Sequence, residues 1–295
     1  MSGLSDYLAE AVLNFATGNQ GMPALGSRYL ALFPTAPTAD AGTGGTEVSG
    51  GSYARAQIAG SVTAATSFTT SSTSITLSGS VPSWVVAGMN VYDTTNNQQI
   101  GTVGAGSSGT TLNLSSTAAH ASSGSADALQ ISAFPASSAS SGTEPATSPA
   151  SVTNTAAAIT FAQATANWGT VVAWGIYDAS SSGNLLFWDY LGNYKWLPFS
   201  CSSASPGVLT TDASGDVPAN GSSIVVTQKY GGTLPSTGGS WSGLLTCANA
   251  SGNTFTAGVN TTGVGGGQFR QITQQSIPTN VTASFSTSTF TLSLA

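Results

Sequence analysis

Leu4, Tyr7, Leu8, Ala11, Val12 and Phe15 recur at three- and four-residue spacing, the period of one face of a helix. This pattern predicts a helix over residues 4–17, capped by Ser5 or Ser2 and ended at Gly18. It carries one apolar stripe, which either packs on the chain's own sheet or docks on another subunit. No other stretch reads as helical.

Beyond Pro23 the period falls to two. Arg28 to Phe33 reads as a buried strand closed by Pro34-Thr35-Ala36-Pro37, and a glycine-rich loop, Ala41 to Gly45, leads into Thr46 to Arg55. Residues 57–132 hold five short alternating strands, at Ser74–Leu77, Met89–Tyr92, Gln99–Val103, Thr111–Leu114 and Ala128–Ile131, spaced as in a small antiparallel sandwich. Pro135 to Pro149 is poor in hydrophobics and reads as an exposed linker. The densest apolar segments follow at Ala158–Phe161, Asn167–Asp178 and Asn184–Trp188, the last two joined by turn residues Asp178 to Asn184, and the main core is expected there. A second module of the same kind spans about 200–275, with strands at Ser223–Thr227, Gly243–Thr246 and Gln268–Ile272, and the alternating ends Val281–Phe285 and Phe290–Leu294 should pair back into a sheet.

Composition sharpens this picture by what it removes. Only 5% of the 295 residues are Asp, Glu, Lys or Arg, against 40% hydrophobic, so a core is available while ionic sites are scarce. The five cations, Arg28, Arg55, Lys195, Lys229 and Arg270, stand singly and the formal net charge is −6, which disfavours nucleic acid and anionic membranes as partners. Asp6 and Glu10 stand where a signal peptide needs basic residues, and no run of eighteen apolar residues occurs. The expectation is a soluble chain made in the cytosol without export.

Candidate chemistry is sparse. His120 lies in a turn-like stretch with no nucleophile motif, and the acids closest in sequence, Asp178, Asp189, Asp212 and Asp216, show no glycosidase pairing; Asp178 reads as a turn cap. Thr211 to Asn220 lacks the ligand alternation of a calcium loop, and the glycine-rich loop lacks the lysine of a phosphate-binding one. No catalytic residue, metal site or cofactor is expected. Cys201 and Cys247 are open to two readings, a disulfide or two free thiols packed as small hydrophobes. Trp188, Tyr190, Tyr194 and Trp196 form an aromatic segment suited to core or subunit-interface packing, and with Leu4, Leu8, Val12 and Phe15 of the helix they are the interface candidates.

The blocks Leu30 to Pro37, Thr46 to Arg55, Trp168 to Val171, Trp174 to Asp178 and Gly183 to Phe187, taken in order, resemble a family of virion proteins of tailed bacteriophages labelled tail-fibre or head-decoration proteins. The resembling parts cover residues 1–56, 133–200 and 279–295. The expected fold is therefore all-β with one N-terminal helix: an antiparallel β-sandwich base domain in those three parts, carrying two inserted β-sandwich or barrel modules at 57–132 and 201–278. The resemblance implies a non-enzymatic virion-surface component, a capsid decoration (cement) or head-fibre protein, whose partners are its own copies in a homotrimer and the major capsid protein or other virion proteins. A long coiled-coil shaft is absent from the sequence, which favours head over tail. The alternative is a tail-fibre or receptor-binding protein whose modules recognise host surface glycans.

Overall fold

A computed structural model describes residues 3–22, 26–37, 45–135, 150–154, 157–192, 196–228 and 243–294. It is mostly β, with the helix Asp6–Ala16 as the one α-helix among the described residues. Ser5 is its N-cap, accepting a hydrogen bond from the Leu8 amide at 3.3 Å, and Gly18 follows its C-cap with φ of 75°. Leu4 lies outside the helix: Gly3–Leu4 is a short strand in which Leu4 pairs with Phe187. The cap's side chain, donating to the Leu185 carbonyl, fixes the helix start against that neighbour and makes the helix shorter than the apolar spacing predicts.

An antiparallel eight-stranded sheet organises most of the chain, in the order Gly3–Leu4, Leu185–Tyr190, Ala173–Tyr177, Arg28–Phe33, Ala56–Thr63, Ala128–Ser132, Asn90–Asp93 and Gln98–Thr102. Arg28–Phe33 is apolar without alternation because both its faces are covered. Leu30 and Leu32 enter the main core with Trp174 and Ile176, while Ala31 and Phe33 pack on the opposite face with Ala173, Leu185 and Trp188. The main core is continuous from this central region into residues 57–132, taking in Ile75, Val91, Ile100, Leu112, Leu129 and Ile131. It is therefore larger than the aromatic strands in which it was expected. Thr291–Leu294 does pair back, antiparallel to Ala150–Thr153, and Phe290 beside it packs edge-on against Trp174 with centroids 4.6 Å apart. The predicted linker from Pro135 to Pro149 lies, after its first residue, outside the described residues.

The family-like blocks meet in space. Arg55 donates from Nε and Nη2 to the two oxygens of Glu47, at 2.9 and 2.7 Å, and from Nη1 to the carbonyls of Ala179 and Ser182. Its guanidinium carbon sits 3.5 Å above the centre of the Tyr177 ring. Tyr53 donates to Glu47 and accepts from the Leu32 amide, while Trp168 donates from its indole to the Gly51 carbonyl at 2.9 Å. Gly51 has φ of 54°, and a Cβ there would stand 3.0 Å from both Ala166 and the Trp168 indole, so the close approach needs glycine.

Residues 197–272 form a second sheet of seven strands, in the order Leu245–Thr246, Ser223–Gln228, Gly266–Ile272, Leu197–Cys201, Val208–Thr211, Thr254–Thr256 and Ala248–Ser251. Its two edge strands follow one another in the chain with Cys247 alone between them, so the sheet curls into a nearly closed barrel. Phe199, Leu209, Ile224, Phe255 and Phe269 fill the interior.

Arg270 holds the barrel to the central sheet. Its guanidinium forms a two-pronged ion pair with Asp189 and lies over the rings of Tyr190 and Trp196, with centroids 5.7 and 5.0 Å away. The residue is 2% exposed. Burial pulls its pKa down to about 10, still far above neutrality, so the cation persists and requires its carboxylate. Replacing Asp189→Asn, which leaves the buried cation uncompensated, is expected to lose about 3–5 kcal/mol in chemical denaturation. The double change Asp189→Leu with Arg270→Met, which removes both charges, should recover most of that loss.

Candidate functional site

The helix stands on the outside of the central sheet and none of its residues is buried. Leu8 turns down onto the main core and is half-buried. Tyr7, Val12, Leu13 and Phe15 are 41%, 40%, 64% and 58% exposed, a run of large apolar side chains along two turns. Isolated exposed apolar residues are ordinary on a protein surface; here Val12 and Phe15, three positions apart, are neighbours on one side of the helix, and Leu13 adds a further exposed apolar side chain off that side. Leu13, the most exposed of the four, was not singled out in the sequence, because it falls off the three-and-four spacing that predicts the face packed on the sheet. The stripe thus divides: Leu4 and Leu8 serve the chain's own fold, while Val12 and Phe15 face solvent.

The aromatic segment faces inward. Trp188 is buried on the second face of the central sheet, with Tyr190 edge-on at 5.6 Å between centroids. Tyr190 and Trp196 are half-buried and flank Arg270. The interface these residues build is the one between sheet and barrel, within the chain. Tyr194 lies outside the described residues.

His120 sits over Phe68, ring centroids 5.9 Å apart, with Nε2 3.6 Å from the Asp93 carboxylate. Its Nδ1 lies 2.7 Å from the Ala121 carbonyl, and among the described residues no serine hydroxyl is hydrogen-bonded to the ring. Asp93 and Asp127 are both buried and are bridged by the Asn96 amide, which donates to one oxygen of each at 2.8 Å. Asp93 Oδ1 also accepts from the amides of Thr95 and Asn96, and Asp127 accepts from the Ser123 amide and hydroxyl. These bonds tie the 94–97 turn to the 121–127 loop. Burial by itself would raise the Asp127 pKa, but the bonds from Ser123, Asp93 and Asn96 outweigh it and hold the carboxyl below its ordinary value.

Cys201 and Cys247 are free thiols, so the bridge considered from the sequence is not formed. Each sulfur is turned to a different carbonyl, Cys201 to Val264 and Cys247 to Pro218, and burial pushes both thiols up, away from thiolate reactivity. Asp178 caps its hairpin by accepting from the amide and side chain of Asn184, at 2.7 and 2.8 Å. Among the described residues no group of three or more His, Cys, Asp or Glu is placed to hold a metal ion, and no helix is long and apolar enough to cross a membrane.

A carboxylate whose pKa is depressed by folding contributes stability that is complete above its unfolded value, about 3.9, and is lost as pH falls through the lower folded value. Thermal unfolding followed by circular dichroism from pH 5 to 2 should show this loss in the wild type. In Asp127→Asn the melting temperature should be lower at pH 5 and should change less with further acidification.

One family model, described as podophage GP4 fiber I protein gp80, matches residues 3–133 and 101–197. The first stretch runs through residues 57–132, and the match ends at Leu197, the first residue of the barrel. No curated protein and no solved structure matches the chain. The two matched stretches overlap and together run from residue 3 to residue 197 of 295, well over half of the sequence: the chain belongs to this family and is a structural protein of a tailed-phage virion.

Proposed function

We propose that the chain is a non-enzymatic head-fibre or capsid-decoration component, attached through its helix and presenting the barrel and the 57–132 region outward. The observation that carries this reading is the exposure of four large apolar residues, Tyr7, Val12, Leu13 and Phe15, on a helix tied to the sheet through Ser5 and Leu8. Covering them needs another protein surface. The partners proposed are further copies of the chain, arranged as a closed trimer, and the major capsid protein or another virion protein. Synthesis in the host cytoplasm and residence on the virion surface go with this reading. In favour of a non-enzymatic role, four acids are taken up by internal contacts: Asp178 caps a turn, Asp189 pairs with Arg270, and Asp93 and Asp127 hold loops together.

The division into a base (1–56, 133–200 and 279–295) and two inserted modules (57–132 and 201–278) is part of the proposal. In its favour, Ala59 and Ser132 are directly opposite one another, so the ends of the first module are adjacent. The first part of strand Ala56–Thr63 pairs with Arg28–Phe33, so an excision that keeps the base sheet intact must begin after Ala59. Removing residues 60–131 with a short Gly/Ser joint is expected to leave a remainder that unfolds cooperatively; an aggregated product would refute the insertion.

Attachment is tested by charging the helix face. Val12→Asp and Phe15→Asp should leave the melting temperature near wild type, since both residues are exposed, while lowering oligomer content by light scattering and copy number per particle by mass spectrometry several-fold. A wild-type monomer in solution together with undiminished copy number in both variants would overturn the reading.

A further inference from the structure

We propose that Asn220 is a modification site: it converts spontaneously to isoaspartate, and the seam at which the barrel closes sets the rate. The site goes beyond the attachment role proposed above and does not depend on it.

Asn220-Gly221 is the only Asn-Gly step in the sequence. It occupies a tight turn, closed by the Ser222 amide donating to the Ala219 carbonyl at 3.0 Å, in which Gly221 takes φ of 85°. A positive φ at the third residue of such a turn calls for glycine. The turn therefore sets behind the asparagine the one residue whose amide nitrogen no side chain shields. Both residues are exposed, so water reaches them.

The chemistry is internal to this step. The Gly221 amide nitrogen gives its proton to hydroxide and attacks Cγ of Asn220; the new N–Cγ bond forms as Cγ–Nδ2 breaks, and the amide group leaves as ammonia with a proton from water. Water then opens the cyclic imide at either carbonyl. One product is aspartate; the other is isoaspartate, in which the main chain runs through Cβ and Cγ.

The closed barrel opposes the first step. The Gly221 amide donates to the Cys247 carbonyl at 2.8 Å, and Asn220 Oδ1 accepts from the Ala250 amide at 2.8 Å. Nucleophile and electrophile are thus each tied to residues 245–251 and not turned to one another. Cys247 stands between the barrel's edge strands Leu245–Thr246 and Ala248–Ser251 and returns the contact, donating its amide to the Ser222 carbonyl at 2.9 Å and its thiol to the Pro218 carbonyl at 3.2 Å. Cyclisation needs the bonds to Cys247 and Ala250 broken, which opens the seam. Where opening and closing are fast against the chemistry, the native rate is the unfolded rate multiplied by the open fraction. Isoaspartate adds a methylene to the main chain ahead of the Gly221 nitrogen and draws that amide off the Cys247 carbonyl, which makes the opening one-way.

Peptide mapping by mass spectrometry, with isoaspartyl methyltransferase to count isoaspartate, follows the full chain at mildly alkaline pH, native and in guanidinium chloride. In denaturant Asn220 should deamidate at least fivefold faster than Asn249, which precedes alanine. In the native chain Asn220 should react at least tenfold more slowly than in denaturant. A smaller ratio in the first comparison removes the site, and a smaller ratio in the second removes its control by the seam. Chain converted in denaturant and refolded should expose the Cys247 thiol, 1% exposed in the closed barrel, to a thiol reagent, while Asn220→Gln taken through the same treatment should keep it covered. Should neither chain refold, the comparison is made on native chain and variant aged in buffer until isoaspartate accumulates in the former. Equal Cys247 reactivity in refolded or aged chain and variant overturns the one-way opening.

Discussion

The hydrogen-bonded pair of Glu47 and Arg55 is the contact on which the central sheet's connections depend. With both oxygens of Glu47 taken by the guanidinium, Arg55 has one nitrogen left, and it reaches the carbonyls of Ala179 and Ser182 in the turn between strands Ala173–Tyr177 and Leu185–Tyr190. The same Glu47 receives the Tyr53 hydroxyl, whose oxygen in turn accepts the Leu32 amide from the strand between. Burial drives the Tyr53 phenol upward, so it stays protonated and keeps donating. One ion pair thus fixes a loop, a hairpin turn and a central strand to each other. Its planar, two-pronged geometry with a ring beneath it is a task for arginine and is not met by lysine. A chain with so few charges has placed this one where its neighbours depend on it.

The same economy recurs at the junction of sheet and barrel. Asp189 is contributed by an edge-proximal strand of the central sheet and Arg270 by the middle of the barrel, and the half-buried rings of Tyr190 and Trp196 cover the guanidinium, while the carboxylate keeps a partial exposure. Removing solvent strengthens the attraction and also raises the cost of either ion alone, which makes the junction sensitive to losing one partner and tolerant of losing both. The barrel is consequently held at a set place on the sheet by a few directional contacts. Gly192 adds to these, forming a backbone bridge to Ile272.

Much of this architecture was legible in the sequence and some of it was not, for identifiable reasons. Arg28–Phe33, the hairpin around Asp178 and the returning strand at the end announce themselves through apolar runs, turn residues and alternation. Strands such as Leu197–Cys201, Val208–Thr211 and Ala248–Ser251 do not, because strands of four or five residues, one of them carrying a proline and another no large apolar residue, gain their order from neighbours and not from their own pattern. In the sequence the aromatic segment reads as core or subunit-interface packing, while Arg270, over which Tyr190 and Trp196 lie, is far along the chain, so nothing local to Trp188 or Trp196 tells packing within the chain from packing between copies. Leu4 was misassigned to the helix because apolar spacing continues through Ser5, where the cap ends the helix by hydrogen bonding, a signal that periodicity does not carry.

With Glu47, Asp93, Asp127, Asp178 and Asp189 each committed to an internal contact, much of what this protein shows to its surroundings is neutral: hydroxyls, amides and bare backbone. That has a physical consequence for the virion surface proposed here. Copies crowded on a symmetric shell repel one another in proportion to their exposed like charge, which among the described residues is confined to a few acids such as Asp6, Glu10 and Asp212. It also leaves recognition to short-range hydrogen bonding and shape, which salt screens far less than it screens exposed charge. The attachment proposed for the helix, through Val12 and Phe15, expresses this constraint: where charge is scarce, contact has to be made by fit.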